Sequence, residues 1–443
     1  MKPSKTVFIY LACVTVVVAI ACLSGQTSEF TAARAALLET SMKADSAGLV
    51  QTRQRFEKLL QNGEVARNDS LAAWTHYYIA FANWQLAFVT FGNRQPETIK
   101  LMEEALAHLA ETMKLKADLA EAYSVMRRCQ FWLATLDRGR GRAIWAESNA
   151  ALQKAQTVAP EHPVVMLEEA INLFYNPPQA GGDQQKGLER FQAALRRFAS
   201  RPAKDAAHEK WWQATTHMMY GQAHLGVGNI EAAEKDFQAA LTLEPNFAYV
   251  KNSMLPMTQH VPAPAMRDLA QATWTTLAQD AESDGRNPNW AAVKALSYFY
   301  DATADTVWFK RDLSRLPNPN AFGINLVIDT DEDQSTGANW WGGNRAFKYD
   351  RLVTVWVVKN GANAYRGAVG VGDFQGVTEG RYINLFQNNL AFRADSALKT
   401  MLLGIKSSEL DDDGGMNLIA AVGSNAGWND DVPDSSSVPL DLN

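Results

Sequence analysis

The segment from Gly221 to Pro245 constrains the fold most strongly, because it has the pattern of two closely packed antiparallel helices. Small residues recur where the helices would approach each other, at Gly221, Ala233 and Ala240, and Phe237 is large enough to fill the space beside them. Pro245 ends the second helix, since proline has no N–H to donate and its ring clashes with the preceding turn. The pattern predicts a helical hairpin.

This segment resembles the second half of a tetratricopeptide repeat, in which Ala233, Phe237 and Pro245 take the alanine, aromatic and proline positions. His217 and His224 stand where the first helix of the repeat prefers other residues. The resemblance implies stacked hairpins that bind a protein partner in a concave groove and catalyse no reaction.

Helical periodicity extends over residues 30–258, and weaker copies of the same spacing precede the strong one. Ala155 and Pro160 repeat the separation of alanine and proline, and Phe191 with Ala194 repeats that of the aromatic residue and the next alanine. Because about three stacked units are needed to bury a continuous core, the copies predict an all-α, TPR-like superhelix. The predicted helices are Ala47–Asn62, Leu71–Phe91, Thr98–Leu115, Ala117–Leu136, Arg142–Val158, Pro163–Tyr175, Gln184–Phe198, Lys210–Val227 and Ile230–Leu243.

The pattern changes after a proline-containing linker at residues 259–265, and residues 266–443 predict an all-β sandwich. In the segment 351–358, Leu352 and Val353 face opposite sides and both are apolar, which indicates a central strand. The fold class expected is therefore multidomain α + β. The predicted strands are Ala292–Tyr300, Thr306–Leu313, Phe322–Asp329, Arg351–Val358, Tyr365–Val371 and Met416–Gly423.

The order of motifs in this part resembles the DOMON-like β-sandwiches, which include family 9 carbohydrate-binding modules. The motifs are FGINLVIDTDEDQSTG at 322–337, KYD at 348–350, GIKSSEL at 404–410 and AAVGSNAGWNDDVP at 420–433. The resemblance covers roughly residues 280–443 and implies a ligand-binding domain, for which a glycan is one candidate ligand.

Acidic residues alternate in the IDTD loop, at Asp329, Asp331 and Asp333. Clustered carboxylates supply the hard oxygen ligands that Ca²⁺ prefers, and Asp280, Asp284 and Asp350 are candidates to complete the set. An EF-hand is excluded because Gln334 replaces the glycine that its turn requires. Ca²⁺ is the one cofactor that the sequence suggests, and a solvated polar loop is the alternative.

Three tryptophans, Trp340, Trp341 and Trp428, lie in segments rich in glycine and asparagine. Exposed indole faces stack on sugar rings or form the centres of protein interfaces. We therefore predict that these residues bind a ligand, with core packing as the alternative.

Two groups in the helical part are candidates for binding a partner. His217 and His224 fall in the strong hairpin, where they would line the groove or pack inside it. Arg138, Arg140 and Arg142 form a basic cluster that could hold an acidic peptide or a phosphate, with a solvated helix end as the alternative.

The composition excludes several classes of function. A net charge of −6 argues against nucleic acid as a partner. No histidine or cysteine follows His260, which removes Ser-His-Asp, Cys-His and histidine-ligated zinc chemistry from the β-rich part. We expect that the protein is not an enzyme. A hydrolase that uses only carboxylates of the sandwich is an alternative, and it needs two acidic side chains facing each other across a cleft.

The first residues have the pattern of a signal peptide. Lys2 and Lys5 precede an apolar run that ends in an A-x-A signal at Ala21, so residues 1–21 are expected to be removed. Cys22 follows directly and resembles the lipidated cysteine of a bacterial lipobox. The expectation is a periplasmic or outer-membrane-associated lipoprotein that touches the membrane only through this anchor, with plain secretion as the alternative.

These features predict an exported scaffold that binds a protein through its helical groove and a second ligand through its sandwich. A carbohydrate-binding accessory protein and a carboxylate-based hydrolase are the two alternatives.

Overall fold

A computed structural model describes the chain from residue 28 to residue 442, with short gaps. The gaps are residues 90–94, 138, 177, 202–205, 256–257, 259–268, 281–291, 316–320, 341, 345, 360–364, 374–380, 384–389, 396–399, 411–413, 425–426 and 434–435. Helices occupy residues 28–243 and antiparallel sheets follow, which confirms the predicted α-then-β layout. The predicted leader, Cys22 and the linker at 259–265 lie outside the described residues.

The described residues fall into two compact units. The first unit contains the helices before residue 166 together with residues 206–208. The second contains residues 166–201, the helical residues from Glu209 onward and all the strands. The helices are α1 (28–43), α2 (Ser46–Leu60), α3 (Gly63–Ala66), α4 (Asp69–Val89), α5 (Gln95–Leu115), α6 (Ala120–Leu136), α7 (Gly141–Val158), α8 (Pro163–Tyr175), α9 (Gln184–Ser200), α10 (Ala206–Gly226) and α11 (Ile230–Leu243).

Helix starts follow local capping chemistry. The side chains of Asp45, Asp183 and Asn229 accept hydrogen bonds from backbone N–H groups in the first turns of α2, α9 and α11. Proline begins α8 at Pro163, where the missing N–H costs nothing. These signals explain why the periodicity located most helices to within a few residues.

Helix α4 is the core of the first unit. Its own apolar residues lie on nearly every side of the helix, and most of its side chains are buried. Its aromatic rings enclose His208, whose Nε2 lies 3.2 Å from the hydroxyl oxygen of Tyr77. The rings of Trp74 and Tyr78 each lie 5.7 Å from the imidazole. Burial lowers the pKa of His208 from 6.5 to about 3, and the charge of Arg34 lowers it further.

This buried histidine predicts that the first unit is sensitive to acid. His208 stays neutral in the folded state while the unfolded chain takes up a proton below about pH 6.5, so each lower pH unit costs about 1.4 kcal/mol of stability. Between pH 7 and pH 5 the free energy of unfolding should fall by about 2 kcal/mol through this residue. Denaturant titrations at 222 nm, comparing wild type with His208→Gln, measure it. An identical acid loss in both proteins would contradict the prediction.

The hairpin of α10 and α11 in the second unit has the packing that the sequence predicts. Phe237, Ala233 and Ala240 are fully buried. A Cβ atom at Gly221 would lie only 2.5 Å from the Phe237 ring, so the ring packs directly on the glycine backbone. The preceding pair repeats this arrangement, since a Cβ at Gly187 of α9 would come within 2.9 Å of the α8 backbone.

The strands form two main antiparallel sheets and one small hairpin. The first sheet has five strands in the order β1-β2-β3-β11-β10, and the second has seven, in the order β13-β12-β4-β7-β8-β9 with β14 also paired to β12. β5 and β6 pair only with each other. The strands are β1 (Thr275–Gln279), β2 (Ala292–Asp301), β3 (Thr306–Arg315), β4 (Ala321–Asp329), β5 (Ala338–Asn339), β6 (Lys348–Tyr349), β7 (Arg351–Lys359), β8 (Tyr365–Asp373), β9 (Arg381–Ile383), β10 (Leu390–Asp395), β11 (Thr400–Lys406), β12 (Gly415–Ser424), β13 (Gly427–Val432) and β14 (Val438–Asp441).

The two sheets share one apolar core, which makes this part a β-sandwich. Alternate residues of facing strands supply it, such as Phe309 of β3, Leu326 of β4 and Leu418 of β12. A second core covers the outer face of the larger sheet, where Trp340 and Leu352 are buried beneath the β5–β6 hairpin. Strand β7 is therefore covered on both faces at Leu352 and Val353 and lies between β4 and β8, as its apolar pattern predicts.

Candidate metal centre

The pairing of β4 with β7 places two acidic residues at the same end of the larger sheet. Ile328 pairs with Arg351, so Asp329 and Asp350 meet just beyond this pair. The backbone N–H of Asp350 donates to the carbonyl of Ile328 at 2.8 Å, which fixes the position of Asp350. Asp331 follows in the loop, and one carboxylate oxygen from each of the three acids lies within 4.8 Å of the others.

The carboxylates of this acidic cluster, Asp329, Asp331 and Asp350, are concentrated without a compensating cation. Asp329 and Asp350 are each only 1% exposed, while Asp331 opens to solvent. Among the described residues, no lysine or arginine forms an ion pair with any of the three. Buried charges are normally paired or coordinate a metal, so this arrangement requires either protonation or a bound cation.

The hydrogen bonds of the cluster leave one buried oxygen available. Asp329 Oδ2 accepts from Gln334 Nε2 at 2.6 Å. Asp350 Oδ2 accepts from the N–H of Thr330 at 3.1 Å and from its hydroxyl at 3.4 Å. Asp350 Oδ1 is buried and accepts no hydrogen bond of normal geometry, although the nearby backbone N–H groups of Thr330 and Asp331 both act to lower the pKa of this carboxyl. A buried acceptor without a donor costs roughly 1–3 kcal/mol, which a cation at this position would offset.

Gly337 closes the loop against the cluster. Its φ of +70° is one that side chains rarely adopt, and a Cβ would lie 2.6 Å from the Tyr349 carbonyl oxygen and 2.9 Å from Asp350 Oδ1. Glycine at this position lets the loop backbone approach the carboxylates closely.

The electrostatics of the cluster favour binding of either a proton or a cation. Burial raises the pKa of Asp329 to about 6, and the neighbouring Asp331 and Asp350 add to the rise. Burial also raises the pKa of Asp350, with the charge of Asp331 as the second cause. The ionised forms are therefore the costly ones in the absence of a metal.

Asp333, which the sequence also predicts as a ligand, lies outside the group of three acids whose carboxylate oxygens lie within 4.8 Å of one another. Its carboxylate points along the loop and accepts from the N–H of Ser335 at 2.8 Å. This hydrogen bond lowers the pKa of Asp333, whereas the pKa values of the two buried cluster acids are raised. Alternation placed Asp333 near Asp331 in sequence, but the turn directs the two side chains differently.

Trp340 is fully buried, which favours the core-packing alternative over ligand stacking for this residue. Its Nε1 donates to Asp431 Oδ2 at 2.9 Å, and the ring lies against Tyr349 with centroids 6.1 Å apart. An enclosed indole presents no face to a sugar. Trp341 lies outside the described residues, and the backbone of Trp428 belongs to β13 rather than to a loop.

Asp431 of β13 holds the loop near the cluster in place, and the sequence did not single it out. Besides Trp340 it accepts from the N–H groups of Gly343 at 2.7 Å and Asn344 at 3.0 Å. It thereby anchors the NWWGGN segment to β13. The signal in the sequence is the polar pair Asp430-Asp431 within a predicted β-rich segment.

The two histidines predicted to bind a partner pack inside the α10–α11 hairpin. His217 Nδ1 lies 2.8 Å from Asp236 Oδ1, and His224 Nε2 lies 3.7 Å from Asp236 Oδ2. Burial lowers the pKa of His224, and Asp236 partly offsets this. The packing alternative therefore describes them better than the groove-lining one.

Two arginines of the predicted basic cluster, Arg140 and Arg142, lie within the described residues. Arg140 is exposed and forms ion pairs with Asp137 at 2.6 Å and Glu103 at 2.7 Å. Arg142 is exposed on α7, and Arg138 lies outside the described residues.

Among the helices that the structure describes, none is long and apolar enough to cross a bilayer.

Comparison with known proteins leaves this geometry as the main guide to function: no protein-family model matches the chain, and no curated protein has significant sequence similarity to it.

Proposed function

We propose that this chain is a non-catalytic binding protein whose β-sandwich holds a calcium ion at Asp329, Asp331 and Asp350. The observation that carries the proposal is the grouping of three carboxylates within 4.8 Å of one another, one of which, that of Asp350, has a buried Oδ1 without a hydrogen-bond partner. The DOMON-like resemblance of this part is consistent with a ligand-binding sandwich, and we propose that the cation orders the loop that joins β4 to the β5–β6 hairpin.

Calcium fits this loop better than magnesium. Ca²⁺ accepts six to eight oxygens in irregular geometry, whereas Mg²⁺ demands a tight octahedron and releases water reluctantly. Asp329 and Asp350 lie at strand ends and Asp331 lies in a loop, so the three carboxylate ligands are arranged asymmetrically. Backbone carbonyls and water can supply the remaining oxygen ligands. Both buried carboxylates are only 1% exposed rather than facing each other across an open cleft, so we favour cation binding over carboxylate-based hydrolysis.

The test compares two variants with the same change of charge in the same loop. Asp331→Asn removes a ligand and should weaken Ca²⁺ binding by about 10-fold or more, since even outer-shell changes cost a metal site 10–100-fold. Asp333→Asn is the matched control and should bind Ca²⁺ like the wild type, because its carboxylate lies outside the cluster. Isothermal titration of the full chain measures both. Equal loss in the two variants would mean that overall loop charge, not a site, attracts the ion.

A second proposal concerns the helices: the stacked hairpins, which resemble tetratricopeptide repeats, bind a protein partner. Its support is an exposed aromatic patch formed by Phe88, Phe131, Trp132 and Trp145 on α4, α6 and α7. Phe131 and Trp145 are 44% and 38% exposed and their ring centroids lie 5.6 Å apart. Exposed aromatic residues of this kind anchor interfaces. Arg142, one turn before Trp145, favours a partner segment that combines an apolar residue with acidic ones.

This second proposal is tested by co-purification from native envelopes with Trp145→Ser and Leu115→Ser. Leu115 is also exposed, at 37%, but lies outside the patch, so it controls for lost surface hydrophobicity. A partner retained by Leu115→Ser and lost by Trp145→Ser supports the proposal. Equal retention by both variants would contradict it.

A further inference from the structure

Helices α4 and α5 bring together two metal-ligating side chains that the proposed calcium site does not use. His76 Nδ1 lies 2.9 Å from His108 Nδ1, and the two rings are tilted by 40° with centroids 5.1 Å apart. Both imidazoles are partly buried. The contact joins residues from different helices within one unit, so the helical packing holds the two nitrogens at this separation.

The surroundings keep both rings neutral at neutral pH. Burial lowers the pKa of His76, and the nearby His108 lowers it further. Burial also lowers the pKa of His108, where Glu104 and Glu111 of α5 act in the opposite direction and Arg53 of α2 reinforces the effect. Each neutral ring carries one N–H, so one Nδ1–H donates to the other Nδ1 in the metal-free protein.

The distance between the nitrogens is that of a hydrogen bond, and it is also the distance that one coordination geometry requires. Imidazole nitrogens bind divalent metals at about 2.0–2.1 Å, so two ligands at a right angle lie about 2.9 Å apart, and two at a tetrahedral angle about 3.3 Å apart. Right angles belong to the tetragonal sites of Cu²⁺ and Ni²⁺, and Cu²⁺ binds more tightly in the usual order of affinities. We propose that His76 and His108 form a Cu²⁺ site through their two Nδ1 atoms.

Binding at this site needs no net release of protons. The hydrogen between the rings moves from Nδ1 to Nε2 of the donor ring, and both Nδ1 lone pairs then face the ion. Water takes the remaining positions. Glu111, whose charge acts on both rings, is held by Lys114 at 2.5 Å and adds a negative potential beside the site.

The experiment adds Cu²⁺ to the full chain and records its electron paramagnetic resonance spectrum. One equivalent of copper should show tetragonal parameters and hyperfine coupling from two nitrogens. His76→Gln and His108→Gln should each lose one nitrogen and bind Cu²⁺ more weakly by about 10–100-fold or more. His162→Gln is the matched control, since His162 is another partly buried histidine of the same unit, 3.5 Å from Glu121, and it should match the wild type.

Two results would overturn the proposal. One is a wild-type spectrum without coupling from two nitrogens, which does not depend on whether any variant folds. The other is unchanged copper affinity in His76→Gln and His108→Gln when circular dichroism shows that both are folded. Either result would reduce the pair to a hydrogen bond between two helices.

Discussion

Replacing Trp340 with alanine is expected to destabilise the β-sandwich by about 3–5 kcal/mol, as removal of a fully buried tryptophan does. The indole fills the second core beneath the β5–β6 hairpin and donates to Asp431, so the variant loses packing and one hydrogen bond together. Trp340→Phe should recover most of the packing but still lose the hydrogen bond, at a cost of roughly 1–3 kcal/mol. Denaturant unfolding followed by near-ultraviolet circular dichroism measures both variants.

The matched control for this prediction is Trp145→Ala, because Trp145 is 38% exposed and packs at the surface of α7. Its cost should be about 1 kcal/mol, near the centre of the range for ordinary substitutions. If Trp340→Ala were as mild as Trp145→Ala and instead abolished binding to a glycan, the loop tryptophan would be a ligand-binding residue after all.

Replacing Phe237 with alanine should cost the α10–α11 hairpin about 3–5 kcal/mol. The ring is fully buried and packs on the backbone of Gly221, which has no side chain to fill the space that alanine would leave. Gly221→Leu should disrupt the same contact from the other side by overpacking, at roughly 1–3 kcal/mol. Hydrogen exchange read peptide by peptide measures the loss of protection and how far it extends along the helices.

Phe131→Ala is the control for Phe237→Ala, since Phe131 is 44% exposed and belongs to the surface patch. Protection of α10 and α11 should be unchanged in this variant. Because stacked hairpins depend on their neighbours, a loss confined to α11 in Phe237→Ala would contradict the proposal of a repeat array.

Much of the fold is predictable because local patterns and tertiary packing agree. The 3.6-residue period, the capping residue Asp183 and the stop at Pro245 locate the helices independently of any long-range contact. The β7 segment reads as a central strand because Leu352 and Val353 are both apolar, and the structure buries both. The order of strands in the two sheets depends on contacts between residues far apart in the chain. The sequence pattern therefore predicts where the strands lie but not which strands pair.

The candidate site is predictable only in part, for the same reason. Alternation in the IDTD loop identifies Asp329 and Asp331, and Asp350 is a sequence candidate that the register of β4 with β7 places beside Asp329. The turn chemistry that directs Asp333 toward Ser335 has no signature in a bare alternation. The glycine and asparagine residues around Trp340 suggest that its side chain is exposed. The indole is instead buried and donates a hydrogen bond to Asp431, which is distant in sequence.

The calcium site is tested most directly by melting the full chain in saturating Ca²⁺ and in chelator, with the sandwich followed by near-ultraviolet circular dichroism. Ca²⁺ at about 100 times its dissociation constant should add about 2.7 kcal/mol to the stability of the folded state. For a unit of this size that raises the midpoint by about 5–10 °C. The shift should be much smaller in Mg²⁺ and absent in Asp350→Asn. A wild-type melt that is the same in Ca²⁺ and in chelator would contradict the account.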